Sequence, residues 1–361
     1  MRLDATVSAI ARKIRENEAE RRLISAKLRE MKAIPFKEFD GNREVIHETF
    51  TSKMHRKDLK CKVGGVDGGV LFSSYHTVDL MVMRAVAPIF HYDGKLSKAE
   101  YYPERSPTVQ INTNMDGDEI DLMRERSIRR QTMELETAIL AVNEAKPDYM
   151  LLHGPMAPYP TDKPKGSSTV NALYEKMIAT FIRLYKSCER HDTKLAGVVE
   201  DSRGARLTSI LADVLPPAQK KSLSMMRDTA LLYDVLDYGE RTFPFKYAID
   251  PLHHPVISDL GEWGNRLYSF YAKTAEFDRP LRVDFLSWGQ DITESAKEMS
   301  SIIFTLSSLS RTYGLPTVIT EADNCAKLRS DDINLVYDML REKAGPSPSL
   351  LKLRREERPF G

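Results

Sequence analysis

Cysteine is scarce in this chain: Cys61, Cys188 and Cys325 are the three in 361 residues. They lie far apart and form neither a Cys-x-x-Cys pair nor a zinc spacing, and an odd number cannot be fully paired in disulfides. Free thiols in a reducing cytoplasm are expected, and a disulfide-stapled fold is excluded. Also missing is any apolar run long enough to cross a bilayer, and "MRLDATVSAIARKIREN" is too charged for a secretory signal. No membrane partner is expected. A charge excess of either sign is lacking too, since 53 Lys and Arg oppose 52 Asp and Glu. A nucleic-acid partner would therefore have to be held by local basic patches. What is present is an ordinary globular balance, 42% hydrophobic and 29% charged, in a length that can bury a large core.

The first segment reads as an amphipathic helix. Leu3, Val7, Ile10 and Ile14, then Ile24, Leu28 and Met31, recur at steps of four and three, a heptad-like seam interrupted by Asn17 and Arg21. Pro35 ends it, and the seam suits either the chain's own core or a partner. "CKVGGVDGG" reads as a strand that turns at Gly68-Gly69. "TVDLMVMRAVAPIF" and "KAEYYPE" continue an antiparallel meander, with Asp93-Gly94 as a hairpin signal. "SPTVQINTNMDGD" reads as a loop. A helix from about Glu119 to Ala145 shows a core face of Ile128, Leu135, Ile139 and Val142. "DYMLLHG" then reads as a strand parallel to its sheet neighbour.

Beyond it come a helix over about 169–190, a strand at "KLAGVVED", and helices at "RLTSILADVL" and "TALLYDVLDY". Strands are expected at "FKYAID" and "LRVDFLSW". A helix from "ITESAKEM" should close at Gly314, and "PTVITEADNCAKL" reads as a strand entering a helix. The order implies a mixed α/β sheet with helices on both faces.

Acidic residues recur at predicted strand ends. Asp67 and His153 end strands that would face one crevice if adjacent. Glu134 and Glu136 lie on the helix joining them. Asp201 ends "LAGVVED", and Asp323 follows "TVITEA". Acids that converge without cations repel one another unless a divalent ion joins them. Oxygen donors suit Mg²⁺ or Mn²⁺, and one imidazole favours Mn²⁺. Two such ions about 3.5–4 Å apart can drive phosphodiester hydrolysis. Each residue also has a plainer reading: Asp67 as a turn residue, His153 as a hydrogen-bonded strand end, Glu134 as a solvated helix residue and Asp201 as a helix cap.

"GGVDGGVLFSS", "RRQTMELETAI", "DYMLLHGPM", "LAGVVEDSR" and "GLPTVITEADNCAKL", in this order over roughly residues 55–330, resemble the NurA nucleases. The resemblance implies a ribonuclease-H-like fold over 55–330, preceded by the helix of 1–35 and followed by a C-terminal helix and charged tail over 331–361. It implies a Mn²⁺-preferring nuclease, 5′-to-3′ exonuclease and single-strand endonuclease. The family works as a homodimer on the hexameric HerA ATPase, resecting double-strand breaks.

Asp67 matches the family's first-strand Asp and Glu134 its helix Glu. His153 stands where the family carries Asp, and Asp323 lies in a motif written either "EAH" or "EAD", so the resemblance implies that an Asp and a His have exchanged places as ligands. Glu200-Asp201 stand where relatives often have Lys. DNA contacts would come from Arg129 and Arg130, with Arg124 and Arg126 beside them, then Lys163, Lys165, Arg203 and Arg206. Tyr159 could stack a base. Two other readings stay open: a non-catalytic adaptor of the ATPase, fed by His153, and an actin/hexokinase-like phosphotransferase, whose phosphate loop "GGVDGGVLFSS" resembles.

Overall fold

A computed structural model describes residues 2–34, 48–114, 119–166, 170–212, 220, 222–223, 225–289 and 291–354. The chain divides into two compact units, each assembled from three separated stretches. One takes 59–195, 252–264 and 318–361; the other takes 1–58, 196–251 and 265–317. Among the described residues no helix is long and apolar enough to cross a membrane.

In the first of these units, β2 (Lys62–Ser74), β3 (Asp79–Tyr92) and β4 (Leu96–Tyr102) form the expected antiparallel meander. β1 (Thr51–Lys53) belongs to the other unit. Gly94 adopts φ +73° in the turn between β3 and β4, a conformation that glycine enters without a Cβ clash. The turn expected at Gly68-Gly69 does not form. β2 runs through both glycines, with Gly68 opposite Ala85 and Gly69 opposite Arg84. Asp67 is therefore mid-strand. Part of the expected loop is also a strand, β5 (Gln110–Asn114), which pairs with β3.

α2 spans Glu119–Ala145, and Ile128, Leu135 and Val142 are buried as the period predicts. Ile139 is only half-buried, and Ala138 and Ala141 complete the buried face. β6 (Tyr149–His153) lies parallel to β2, as expected, and α3 (Asn171–His191) packs on α2.

The same unit ends with two helices. In this structure "TVITEADNCA" is a helix, not a strand entering one. Val318, Ile319 and Ala322 form its buried stripe, and that packing overrides the β-branched preference for strand. The last helix, Ser330–Ala344, buries Ile333, Val336 and Tyr337 against Tyr75, Leu80 and Val82. The Tyr75 and Tyr337 rings stack at 4.6 Å.

The other unit is antiparallel. β7 (Lys194–Val199) pairs with β11 (Leu281–Leu286), β11 with β10 (Leu267–Ala272), β10 with β8 (Glu240–Thr242), and β8 with β1. The short β9 (Phe245–Lys246) also pairs with β10. α1 (Arg2–Glu30) anchors here through Ile24 and Leu28, which join Leu231, Leu232, Val235, Phe243 and Phe245 in one core. Leu3, Val7, Ile10 and Ile14, the first half of the seam, are more than half exposed.

α4 (Arg206–Ala212) and α5 (Asp228–Val235) line that core, and α6 (Ile292–Leu306) follows β11. α6 stops well before Gly314. The Gly314 carbonyl instead accepts a 2.7 Å hydrogen bond from Thr274 Oγ1, and a side chain at that position would strike the hydroxyl. The two C-terminal helices of the first unit are α7 (Thr317–Ala326) and α8 (Ser330–Ala344).

Candidate active site

The "GGVDGG" run lies where three elements press on one strand. Residues alternate between the faces of β2, so Gly65, Asp67 and Gly69 share a face. A Cβ at Gly65 would sit 2.8 Å from the Val318 carbonyl oxygen, and one at Gly69 would strike that of Ala326. The two ends of α7 thus rest on glycines either side of Asp67. On the opposite face a Cβ at Gly68 would lie 2.7 Å from Glu134 Oε1. The glycines are contact points that admit α7 and Glu134 to the strand.

Arg84, opposite Gly69, fastens the far end of α7. Its Nε donates to the Ala326 carbonyl at 3.3 Å and its Nη2 to that of Lys327, placing a cation at a helix C-terminus. Gly65→Ala is expected to push α7 off the strand and to cost about 1–3 kcal/mol. Urea unfolding measures it, and an unshifted midpoint would mean that α7 does not depend on this contact.

Asp67 is buried, and its Oδ2 lies 3.1 Å from His153 Nδ1. The pairing follows from register: β2 and β6 run parallel with Val66 beside Leu152, so the next residues are neighbours. Gly154 turns the chain away at once with φ +137°. Asp67 Oδ1 accepts from the Gly68 backbone N–H at 2.8 Å. Asp323, on α7, comes to the rim of the same group. Partial burial pushes its carboxyl above the usual carboxylate range, and the charge and hydrogen bond of Asp67 add to the shift.

Glu134 reaches the group from α2. It is buried, and burial pushes its carboxyl up to about 7 despite the opposing charge of Arg130. Arg130, one turn earlier, gives its Nη1 to Glu134 Oε1. Glu136 faces the other way, is exposed, and pairs with Lys176 at 3.0 Å, which leaves Glu134 as the acid of this helix near Asp67.

Four predicted residues, Asp67, Glu134, His153 and Asp323, are therefore brought together. Asp201 is not brought into this group by any described contact. It lies in the other unit at the exposed end of β7, where Arg279 Nη1 holds it at 2.6 Å. Among the described residues no three His, Cys, Asp or Glu side chains stand close enough to grip one ion as they are oriented. The donor chemistry nonetheless fits a hard divalent cation, with carboxylates in excess of local cations and a single imidazole.

The basic candidates divide. Arg129 is engaged by Glu125 at 2.6 Å, and Lys163 by Asp259 at 2.7 Å. Arg206 donates to the Lys246 carbonyl, while Lys165 and Arg203 are exposed. Tyr159 lines a small crevice with Arg130, Glu134 and His153. Sequence reasoning missed Arg84, for which no local signal exists. It also missed the Arg130–Glu134 pair, which the i, i+4 spacing does signal.

The NurA domain family matches residues 61–328 of the chain. The chain belongs to the NurA family. Solved NurA structures share its mixed α/β fold. The NurA nuclease from Sulfolobus solfataricus aligns with a TM-score of 0.58 at 15% identity, covering 94% of this chain and 99% of that one. A NurA structure with manganese aligns at 0.52 and 10% identity, covering 95% and 99%. NurA bound to dAMP and manganese aligns at 0.50 and 11%, covering 83% and 91%. At such identities the likeness is one of fold. A comparison with curated proteins gave no match.

Proposed function

We propose that this NurA-family chain is a divalent-metal-dependent deoxyribonuclease that hydrolyses phosphodiester bonds at DNA ends and in single strands. One observation carries the reading: Asp67, Glu134, His153 and Asp323 arrive from four separate elements at one acidic group. The manganese and dAMP in solved NurA structures support it. These four residues would hold Mn²⁺ or Mg²⁺, as two ions. The cations would supply the charge that activates water and offsets charge building on the phosphate.

The chain's own part is positioning. His153 fixes the Asp67 carboxylate, the glycine contacts hold α7 so that Asp323 stays at the rim, and exposed Lys165 offers charge to DNA phosphates. Incubating the full chain with end-labelled DNA in Mn²⁺ tests the reading. Cleavage that a chelator abolishes is expected; equal cleavage with chelator present would sink it. The adaptor reading draws on Glu134 being held by Arg130, and it predicts ATPase binding with no cleavage at any metal concentration.

In resection of double-strand breaks the chain would act as a homodimer on a HerA-type hexameric ATPase. The exposed stripe of Leu3, Val7, Ile10 and Ile14 on α1 supports an intermolecular contact there. Ile24 and Leu28 are core residues, so deleting α1 would unfold its unit and test nothing. Val7→Ser with Ile10→Ser leaves the core intact and is expected to convert a dimer to a monomer by light scattering. A dimer of unchanged mass would place the interface elsewhere.

A further inference from the structure

We infer that Arg130 is a built-in occupant of the cation site: it holds Glu134 while metal is absent and is released to the substrate phosphate when metal enters. The inference rests on the metal-dependent reading above. Arg130 and Glu134 are four residues apart on α2, so their side chains share one face of the helix. Glu134 retains only 10% of its side-chain exposure, and a buried carboxylate needs a compensating positive charge. Arg130 supplies it through Nη1, and Asp67 and Tyr159 lie within its electrostatic reach.

Arg130 engages Glu134 Oε1, so a cation drawing on this carboxylate would compete with the guanidinium for its charge. One carboxylate oxygen cannot give its full charge to a guanidinium and a divalent ion at once. Metal entry would therefore weaken the hold of Glu134 on the arginine and favour its release.

Displacement leaves the guanidinium useful. It has five N–H donors in a planar fork that matches a phosphate. It lines the crevice with His153 and Tyr159, so its release places a phosphate-matching cation beside the acidic group. A nuclease of this design is neutralised at rest and gains a phosphate-binding group only when loaded. Arg130 is thus a positioning residue for Glu134 before metal enters and a substrate contact afterwards.

The test is calorimetric titration of the full-length chain with Mn²⁺ alone. Arg130→Gln removes the competitor and is expected to tighten Mn²⁺ binding about tenfold, the scale of a charge-assisted pair. Arg129→Gln removes the same charge from the neighbouring position, where it pairs with Glu125, and is expected to change affinity by less than about twofold. If both variants tighten binding equally, the effect is only general electrostatics and the inference falls.

A second measurement needs no variant. In wild type, the Arg130 side-chain nitrogen resonances should shift and lose their restricted rotation as Mg²⁺ saturates the site. Unmoved resonances at saturation would overturn the exchange. Failure of wild type to bind either ion would overturn the nuclease reading and this inference together. Binding without any Arg130 response would overturn the inference alone.

Discussion

Asp67→Ala is expected to abolish DNA cleavage in Mn²⁺, with a rate loss well beyond the roughly 10–100-fold typical of residues that only orient a metal ligand. The position explains the size. Asp67 is buried mid-strand, touches His153 directly, and shares a hydrogen bond with Asp323, so no neighbour can take its place. Removing it also frees His153 and Asp323 from a common partner. The variant should remain folded, because β2 is held by its pairing with β3 and β6. End-labelled DNA with Mn²⁺, beside a circular dichroism spectrum, measures both. Full activity in the folded variant would mean that the chemistry is elsewhere or that the sample carries a contaminating nuclease.

Glu134→Gln is expected to separate stability from activity. Burial raises the Glu134 carboxyl to about 7 from an ordinary 4.5. An acid whose folded pKa is raised favours folding below its unfolded pKa and loses that contribution as pH rises through the folded one. Metal-free wild type should therefore lose stability between about pH 4.5 and 7 through this group, and Glu134→Gln should not. The two unfolding curves should diverge across that window by about 1–3 kcal/mol, one pKa unit being worth about 1.4 kcal/mol. Above pH 7 the metal-free variant is then relatively better off, and yet without nuclease activity. Urea unfolding in chelator from pH 4.5 to 7.5 measures the divergence. Parallel curves would show that Glu134 does not titrate in that range. The comparison isolates the acid because Arg130, half-buried, can turn to water in the variant.

The meander, α2 and β6 were legible because they are local. Alternation marks a strand, a three-to-four apolar period marks a helix, and Asp93-Gly94 marks a hairpin. Asp67 and His153 were legible as candidates for one crevice because a strand entered from a helix, as β6 is, runs parallel within its sheet. The Gly68-Gly69 turn was misread because glycine serves equally to bend a chain and to let a helix approach it. Helix α7 was misread because "TVIT" prefers strand by itself and yields to burial of Val318, Ile319 and Ala322. The interleaving of the two units from three stretches each has no local signature at all.

Residue order alone settled which chemistries are possible here: several acids and one histidine on strands and helices, no thiolate framework, and a family kinship spread over most of the chain. Only the folded chain settled which acids meet. Asp323 joins Asp67 because glycines either side of Asp67 let a helix lie on the strand, whereas Asp201 is taken by Arg279 in the other unit. The reason is one of range. Hydrogen-bonded periodicity is written within a few neighbours, while proximity between residues hundreds of positions apart depends on packing surfaces that no short stretch encodes.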